Sequence, residues 1–324
     1  MRNCEPSPRL VAVQVELPAP LLARIAEAAP TLCVIDKSEL TETALDAAEI
    51  LFTEQPDPLR IARASALRWV QTCGAGIDGL LVPELLAREE LTLTNARGIH
   101  AQPVAEHVFG WLLGFVRNLH KADRKARQQS WDRAPLCAGL GTLAGKTLGI
   151  MGLGAVGSRV AQLGAAFGMH VIAYRKTWND VPLPVQTSYG ENALQAFLAA
   201  SDFVVNTLPL TPATRHLLGA RELEAMRPHA FLVNVGHGAT IDTVALVEAL
   251  QKNKLGGAAL DVCDPEPLPP THSIWKFDNV LITPHYAGAH PGYHEHVTRI
   301  FIDNLERYLA GEPLTHVVDA ARGY

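Results

Sequence analysis

The stretch from Thr147 to Lys176 constrains the fold of this chain more than any other part of the sequence. An apolar run at 147–151 leads into the glycine-rich segment 152–157, and apolar residues then recur at helical spacing as far as Gly168. A second apolar run follows at 170–174. This order predicts a β-strand, a tight turn, a helix and a second, parallel β-strand, which is the repeating unit of α/β folds.

The turn in this unit contains three glycines at fixed spacing, Gly152, Gly154 and Gly157. In the pattern GxGxxG the first glycine permits the tight turn, the second lets the backbone approach a pyrophosphate, and the third lets helix and strand pack closely. The helix, expected to start at Ser158, would present free amides to phosphate. Because a strand and a helix flank the pattern, it predicts a dinucleotide site, which Ala155 and Val156 would also line, rather than a plain tight turn.

The residues after the second strand indicate which dinucleotide binds. An acidic residue about twenty positions beyond the glycines would accept hydrogen bonds from an adenosine ribose. This chain has Arg175 and Lys176 there. Two cations suit a 2′-phosphate, so the sequence predicts NADP in preference to NAD. The alternative is a solvated basic pair that follows a strand.

Length and composition limit the classes of protein to which the chain can belong. Its 324 residues suggest two domains, and a net charge of −5 gives no general attraction to nucleic acid. The longest apolar segment, 108–116, is too short to span a bilayer, and the first residues do not resemble a signal peptide. Five scattered cysteines without a CxxC pair favour reduced thiols. We therefore expect a cytoplasmic protein with no membrane or nucleic-acid partner.

Further apolar runs predict the rest of an α/β architecture. Those at 203–207, 231–235, 258–262 and 280–283 join the first two strands in a six-stranded, Rossmann-type doubly wound parallel sheet. Runs at 10–15, 32–35, 50–53, 69–72 and 91–94 predict a second parallel α/β domain. The helix-compatible segment 103–131 is apolar in its first half. This half could bury against the nucleotide domain or against another subunit, and we favour the second alternative, a homodimer. A last amphipathic helix at 298–309 is expected to cover the other domain.

Two smaller features suggest ligand sites. Gly74, Ala75 and Gly76 directly follow a predicted strand, where ligands of parallel sheets usually lie, and their amides could hold a substrate carboxylate. A glycine turn into the next helix is the simpler interpretation of these residues alone. The histidines at 290, 294 and 296 do not align on one helix face, so no metal site is predicted.

Several motifs occur in one order along nearly the whole chain. They are Gly74-Ala75-Gly76-Ile77-Asp78, Ala105-Glu106-His107, the glycine turn, Leu208-Pro209-Leu210-Thr211, Asp261-Val262 through Glu266-Pro267-Leu268, and Thr283-Pro284-His285. In this order they resemble the D-isomer-specific 2-hydroxyacid dehydrogenase family, which includes hydroxypyruvate and glyoxylate reductases and phosphoglycerate dehydrogenases. The resemblance implies a nucleotide domain, here 99–287, inserted into a flavodoxin-like substrate domain, here 1–98 and 288–324, with the active site in the cleft between them.

The resemblance also implies a reaction, the NADPH-dependent interconversion of a 2-oxo acid and a D-2-hydroxy acid by hydride transfer. His285 matches the family's proton donor, and Glu266 matches the carboxylate that favours its imidazolium form. Asp261 would contact the nicotinamide side of the cofactor. Thr207 and Pro209 would line the adenosine side. The cofactor contacts expected beyond the glycine turn and the basic pair are Thr207, Pro209, Thr214, Val235 and Asp261.

One residue departs from the family pattern. After the fourth strand of the nucleotide domain the family has an arginine that grips the carboxylate and carbonyl of a 2-oxo acid, whereas this chain has His237. A mostly neutral imidazole does not replace the planar, charged fork of a guanidinium. The sequence leaves three explanations open: an altered substrate, weakened activity, or a substitution introduced by an experimenter.

Two other functions compete with that of a reductase. One is a cofactor-binding regulator that has lost turnover, which His237 favours and the presence of His285 and Glu266 disfavours. The other is a relative that acts on formate or phosphite. It ranks last because the formate branch of the family would have a glutamine at the position of Glu266.

Overall fold

Two compact units make up the chain in a computed structural model that describes residues 9–175 and 184–319. Within the described part, unit 1 holds the residues up to 99 and from 290 onward, and unit 2 holds residues 100–289. Among the described residues, no helix combines the length and the apolar character needed to cross a membrane.

Helices and strands alternate along most of both units. The strands are β1 (Leu10–Gln14), β2 (Cys33–Ile35), β3 (Ala48–Thr53), β4 (Trp69–Thr72), β5 (Thr92–Thr94), β6 (Thr147–Met151), β7 (His170–Tyr174), β8 (Thr187–Tyr189), β9 (Phe203–Asn206), β10 (Phe231–Asn234), β11 (Gly257–Leu260) and β12 (Val280–Ile282). The helices are α1 (Ala19–Ala28), α2 (Glu42–Ala47), α3 (Pro58–Arg63), α4 (Pro83–Leu86), α5 (Ala101–Val116), α6 (Leu119–Arg127), α7 (Arg133–Cys137), α8 (Ala155–Ala166), α9 (Leu194–Ala200), α10 (Ala220–Ala225), α11 (Thr243–Gln251) and α12 (Tyr293–Ala310).

Unit 1 is a five-stranded parallel sheet with the order β2-β1-β3-β4-β5, which is the flavodoxin-like order. The C-terminal helix α12 packs on this sheet. The ring of Phe301 stacks on Phe52 with centroids 4.4 Å apart and on Trp69 at 5.1 Å, and all three side chains are fully buried. The prediction that the last helix covers this domain is therefore confirmed.

Unit 2 is a seven-stranded parallel sheet with the order β12-β11-β10-β9-β6-β7-β8. The predicted Rossmann-type class is confirmed, but the predicted six strands are one too few, because β8 pairs with β7 and forms the edge of the sheet. Three residues are too short to show an alternating pattern in sequence. The strand order reverses between β6 and β9, and ligands of such sheets bind at this switch point.

Two predicted helix boundaries in unit 2 need correction. Helix α8 begins at Ala155 rather than at Ser158, since Gly154 already occupies the N-cap position. The segment 103–131 is not one helix, because Asn118 has a left-handed φ of 52° and separates α5 from α6. Asparagine tolerates this conformation, and here its side-chain amide also donates to the carbonyls of Leu136 and Ala138.

The apolar sequence of α5 is explained within unit 2. Ala105, Val108 and Leu112 are buried in one cluster with Val160 and Ala161 of α8. Burial of α5 against α8 in the nucleotide domain, one of the two predicted alternatives, therefore accounts for its apolar face. A homodimer stays a prediction, without support from this segment.

Candidate active site

The glycine turn lies at the carboxyl end of β6. Gly152 has φ +89°, and a Cβ on Gly157 would lie 2.0 Å from the carbonyl oxygen of Gly152. A Cβ on Gly154 would meet no atom within 4 Å. The fold itself therefore requires glycine at the first and third positions, while the second leaves the backbone accessible from outside. Ala155 and Val156 form the first residues of α8, whose first amides have no partners within the helix.

The two predicted 2′-phosphate ligands, Arg175 and Lys176, follow β7 in the chain. The register pairs Met151 of β6 with Tyr174 of β7, and the Gly152 amide donates to the Tyr174 carbonyl at 2.9 Å. Arg175 follows directly and is half-buried, so it lies one strand away from the glycine turn. Lys176 lies outside the described residues.

The other predicted cofactor contacts lie at the carboxyl ends of β9 and β10. The Thr207 hydroxyl donates to the carbonyl of Gly152 at 3.0 Å and thus helps to hold the glycine turn. The Thr214 hydroxyl donates to the Pro209 carbonyl at 2.6 Å and orders the loop after β9. The amide of Val235 donates to the carbonyl of Asn206, the last residue of β9, at 3.1 Å. The structure brings these residues to the same sheet edge as the glycine turn.

His285 and Glu266 lie in the loops that follow β12 and β11. The imidazole Nδ1 is 2.5 Å from Glu266 Oε1, and the second carboxylate oxygen accepts from the Cys263 amide at 3.4 Å. The side chains are 63% and 41% exposed, respectively, so both can be reached from solvent. The structure therefore brings together His285, the predicted proton donor, and Glu266, its predicted partner carboxylate.

Asp261 is buried and anchors the loop that carries His285. Its Oδ1 accepts from the Thr283 hydroxyl at 2.5 Å and from the Tyr286 amide at 3.1 Å, and its Oδ2 accepts from the Ala287 amide at 3.0 Å. The His285 amide donates to the Asp261 carbonyl at 2.9 Å. These contacts give Asp261 a role within the protein, and its contact with the cofactor stays a prediction.

His107 is part of this arrangement, although its sequence motif alone gave it no role. It lies on α5, and its Nε2 is 3.2 Å from the Thr283 hydroxyl. Its ring packs edge-on against Trp111 at 4.3 Å and Tyr286 at 5.4 Å between centroids. Burial lowers the pKa of His107, against a smaller opposing effect of the Asp261 carboxylate. Burial therefore favours the neutral form of this imidazole.

His237 lies in the loop after β10, at the start of the short 3₁₀ turn Gly238–Thr240. Its Nδ1 accepts from the Ala239 amide at 3.3 Å, and its carbonyl accepts from the Asn234 side chain at 3.0 Å. An Nδ1 that accepts a hydrogen bond leaves the proton of the neutral ring on Nε2. With Nδ1 as an acceptor, the side chain has at most one N–H donor, on Nε2, where an arginine would have a fork.

The predicted substrate loop of unit 1 follows β4. The carbonyl of Cys73 accepts from the Tyr293 hydroxyl at 3.2 Å, and that of Ala75 accepts from the Asn95 side chain at 2.9 Å. Within the described part of the chain, no hydrogen bond is made by the amides of residues 74–76. A loop whose carbonyls are held while its amides have no acceptor is suited to an anion.

A pocket of about 550 Å³ in unit 2 lies beside the His285–Glu266 pair. It is lined by Asp261, Cys263, Glu266, Pro267, Leu268, Trp275, Ile282, Thr283, Pro284 and His285. These residues include two carboxylates but no lysine or arginine. In the described ranges, no group of three or more His, Cys, Asp or Glu side chains could hold a metal ion.

Comparison with known proteins identifies the family. Residues 109–287 match the sequence model of the D-isomer specific 2-hydroxyacid dehydrogenase NAD binding domain. The chain belongs to the D-isomer specific 2-hydroxyacid dehydrogenase family. Glyoxylate reductase from Aeropyrum pernix is 36% identical over 280 residues, which are 85% of this chain and 83% of that protein. The predicted family and enzyme class are thus confirmed: the protein is an NAD(P)-dependent 2-hydroxyacid dehydrogenase.

Solved structures of similar dehydrogenases agree with this assignment. A family member from Aeromonas salmonicida has a TM-score of 0.84 and 34% identity, and the alignment covers 97% of this chain and all of that chain. An NADPH-dependent glyoxylate/hydroxypyruvate reductase from Sinorhizobium meliloti, solved with NADP and sulfate, has a TM-score of 0.83 and 28% identity over 98% of this chain and 100% of that chain.

Proposed function

We propose that this dehydrogenase reduces a small 2-oxo acid to a D-2-hydroxy acid with NADPH, and that His285 supplies the proton. The observation that carries the proposal is the 2.5 Å contact between His285 Nδ1 and Glu266 Oε1. A carboxylate that contacts Nδ1 orients the ring and leaves Nε2 for the substrate, so Nε2–H would donate the proton to the substrate carbonyl oxygen. Glyoxylate reductases among the relatives support this choice of reaction.

The residues of the glycine turn fit a dinucleotide. Gly154 leaves space beside the backbone, and the 12-residue helix α8 would present the amides of its first turn to a pyrophosphate. Arg175 would pair with a 2′-phosphate, together with Lys176. The NADP in the S. meliloti structure supports this preference. When bound, the nicotinamide supplies the hydride that reduces the carbonyl carbon.

The substrate would be held at two places. The amides of residues 74–76 would bind its carboxylate, because none of them donates to an acceptor among the described residues while the carbonyls of the same loop are held. His237 stands where the family has its carboxylate-binding arginine, and an imidazole offers at most one hydrogen bond to a 2-oxo acid from Nε2 when its Nδ1 accepts from the Ala239 amide. One donor grips a 2-oxo acid less firmly than the two parallel bonds of an arginine, so weakened activity is expected.

The test is a screen of NADPH oxidation over a panel of 2-oxo acids that includes glyoxylate, hydroxypyruvate and oxaloacetate. The proposal predicts turnover of at least one small monocarboxylate and slower turnover with NADH. NADPH binding without turnover of any 2-oxo acid would favour the second candidate, a cofactor-binding protein that has lost activity, for which His237 is the supporting observation.

A further inference from the structure

A chain of three side chains links α5 to the loop that carries His285. His107 Nε2 contacts Thr283 Oγ1 at 3.2 Å, and Thr283 Oγ1 contacts Asp261 Oδ1 at 2.5 Å. Asp261 in turn accepts hydrogen bonds from two backbone amides directly after His285. Residues 107 and 283 are 176 positions apart, so only the folded unit 2 brings them together.

The direction of each hydrogen bond in this chain is fixed by chemistry. An ionised carboxylate only accepts, so the single hydroxyl proton of Thr283 goes to Asp261. The hydroxyl oxygen must then accept from His107, which requires the proton of the neutral imidazole on Nε2. The edge-on contacts with Trp111 and Tyr286 hold the ring in the required plane.

The loop needs such support because of the backbone of His285. Its φ of 53° lies in the left-handed region, which is unfavourable for a residue with a side chain and persists only when the surroundings enforce it. The amide of His285 is bound to the Asp261 carbonyl, and the next two amides are bound to the Asp261 carboxylate. The orientation of this carboxylate therefore sets the position of the imidazole.

We propose that His107 and Thr283 are positioning residues that align His285 for proton transfer by fixing the Asp261 carboxylate. This inference rests on the proposed role of His285 as proton donor. His107 itself does not exchange protons with the substrate. A catalytic group displaced by about 1 Å can lose about 100-fold in rate, so removal of either donor should lower kcat rather than substrate binding.

The experiment compares variants that remove or keep each donor, with 2-oxo acid and NADPH as substrates. Thr283→Val and His107→Phe should lower kcat about 10- to 100-fold with little change in KM, while Thr283→Ser and His107→Gln, which keep a donor, should restore kcat to within about threefold of the unmodified enzyme. The solvent deuterium isotope effect on kcat should rise in the first pair, because a misaligned proton transfer becomes more rate-limiting.

His120→Phe is the matched control. His120 is also a half-buried histidine, its Nδ1 contacts the Gly114 carbonyl at 3.2 Å, and its ring packs edge-on against Phe115. Burial lowers its pKa as it does that of His107. This variant should keep the unmodified kcat and isotope effect.

Two results would overturn the inference. One is a loss of kcat in Thr283→Val and His107→Phe no greater than that in His120→Phe. The other is a loss that the serine and glutamine variants share. If His285→Ala abolishes turnover while His107→Phe leaves kcat intact, only the inference fails; if His285→Ala retains full turnover, the proposed function fails.

Discussion

Alanine substitution at two glycines of the same turn, Gly154 and Gly157, should separate folding from cofactor binding. A Cβ at Gly157 would lie 2.0 Å from the Gly152 carbonyl oxygen and 3.1 Å from the Thr207 hydroxyl. Real Cβ atoms essentially never approach another heavy atom within 3.0 Å, and a backbone oxygen between β6 and α8 cannot easily move aside. A Cβ at Gly154 would meet no protein atom within 4 Å. The same methyl group therefore clashes with the protein at one position only.

The structure sets the size of each effect. Overpacking of a fixed backbone costs about 1–3 kcal/mol, and a 2.0 Å approach belongs at the upper end, so Gly157→Ala should lower the free energy of unfolding by about 3 kcal/mol. For a unit of this size that lowers Tm by about 6–12 °C. Gly154→Ala replaces an N-cap glycine and should cost about 1 kcal/mol or less, about 2–4 °C. Its affinity for NADPH should nevertheless fall at least about tenfold, because the methyl group occupies the side from which the pyrophosphate approaches.

Thermal unfolding by circular dichroism without cofactor measures the change in Tm. Fluorescence titration with NADPH then measures the change in cofactor affinity. Equal losses of Tm in the two variants would contradict the packing argument. Unchanged NADPH affinity in Gly154→Ala, with Tm preserved, would show that the pyrophosphate does not lie on this turn.

Three further predictions test the cofactor, the substrate and the stability of unit 2. Arg175→Ala should raise the Kd for NADPH about 10- to 100-fold and leave that for NADH unchanged in fluorescence titrations; equal losses would argue against a 2′-phosphate contact. His237→Arg should raise kcat/KM for glyoxylate or hydroxypyruvate about 10²- to 10³-fold, and an unchanged value would mean that the histidine serves another substrate or role. Burial raises the pKa of Asp202, but hydrogen bonds from the Thr147 amide and two basic side chains outweigh it and lower the pKa overall. Asp202→Asn should therefore lower Tm at neutral pH, and this difference should vanish as the pH falls below about 4 through the folded-state pKa; a difference that persists in acid would exclude the charge as its cause.

The parts of the fold that could be predicted from the sequence were those with local signals. The apolar run, three spaced glycines and amphipathic stretch from β6 to α8 lie within thirty residues, and each element is set by its own periodicity. The strand β8 could not be found, because three residues show no period and its partner β7 supplies the pairing. The break at Asn118 cannot be predicted either, since a single left-handed residue leaves no pattern in an otherwise helical segment.

The candidate site likewise contains residues that sequence motifs predict and contacts that only the folded chain creates. His285 and Glu266 can be predicted because each belongs to a motif that resembles the family pattern, and the structure places them in contact. The contact between His107 and Thr283 cannot be predicted from the sequence, since no periodicity relates a residue on α5 to one that follows β12. The buried position of Asp261 likewise depends on how β11 and β12 pair.

The most direct test of the proposed mechanism is the rate of NADPH oxidation by a 2-oxo acid in His285→Ala, measured with the Kd for NADPH in the same preparation. A general acid typically contributes about 10²- to 10⁴-fold, so kcat should fall by that factor while the Kd for NADPH stays within about twofold. His229→Ala is the matched control, because His229 also pairs with a carboxylate, Asp202, at 3.1 Å, and it should keep the unmodified kcat. A His285→Ala enzyme that oxidises NADPH as fast as the unmodified protein would contradict the assignment of His285 as proton donor.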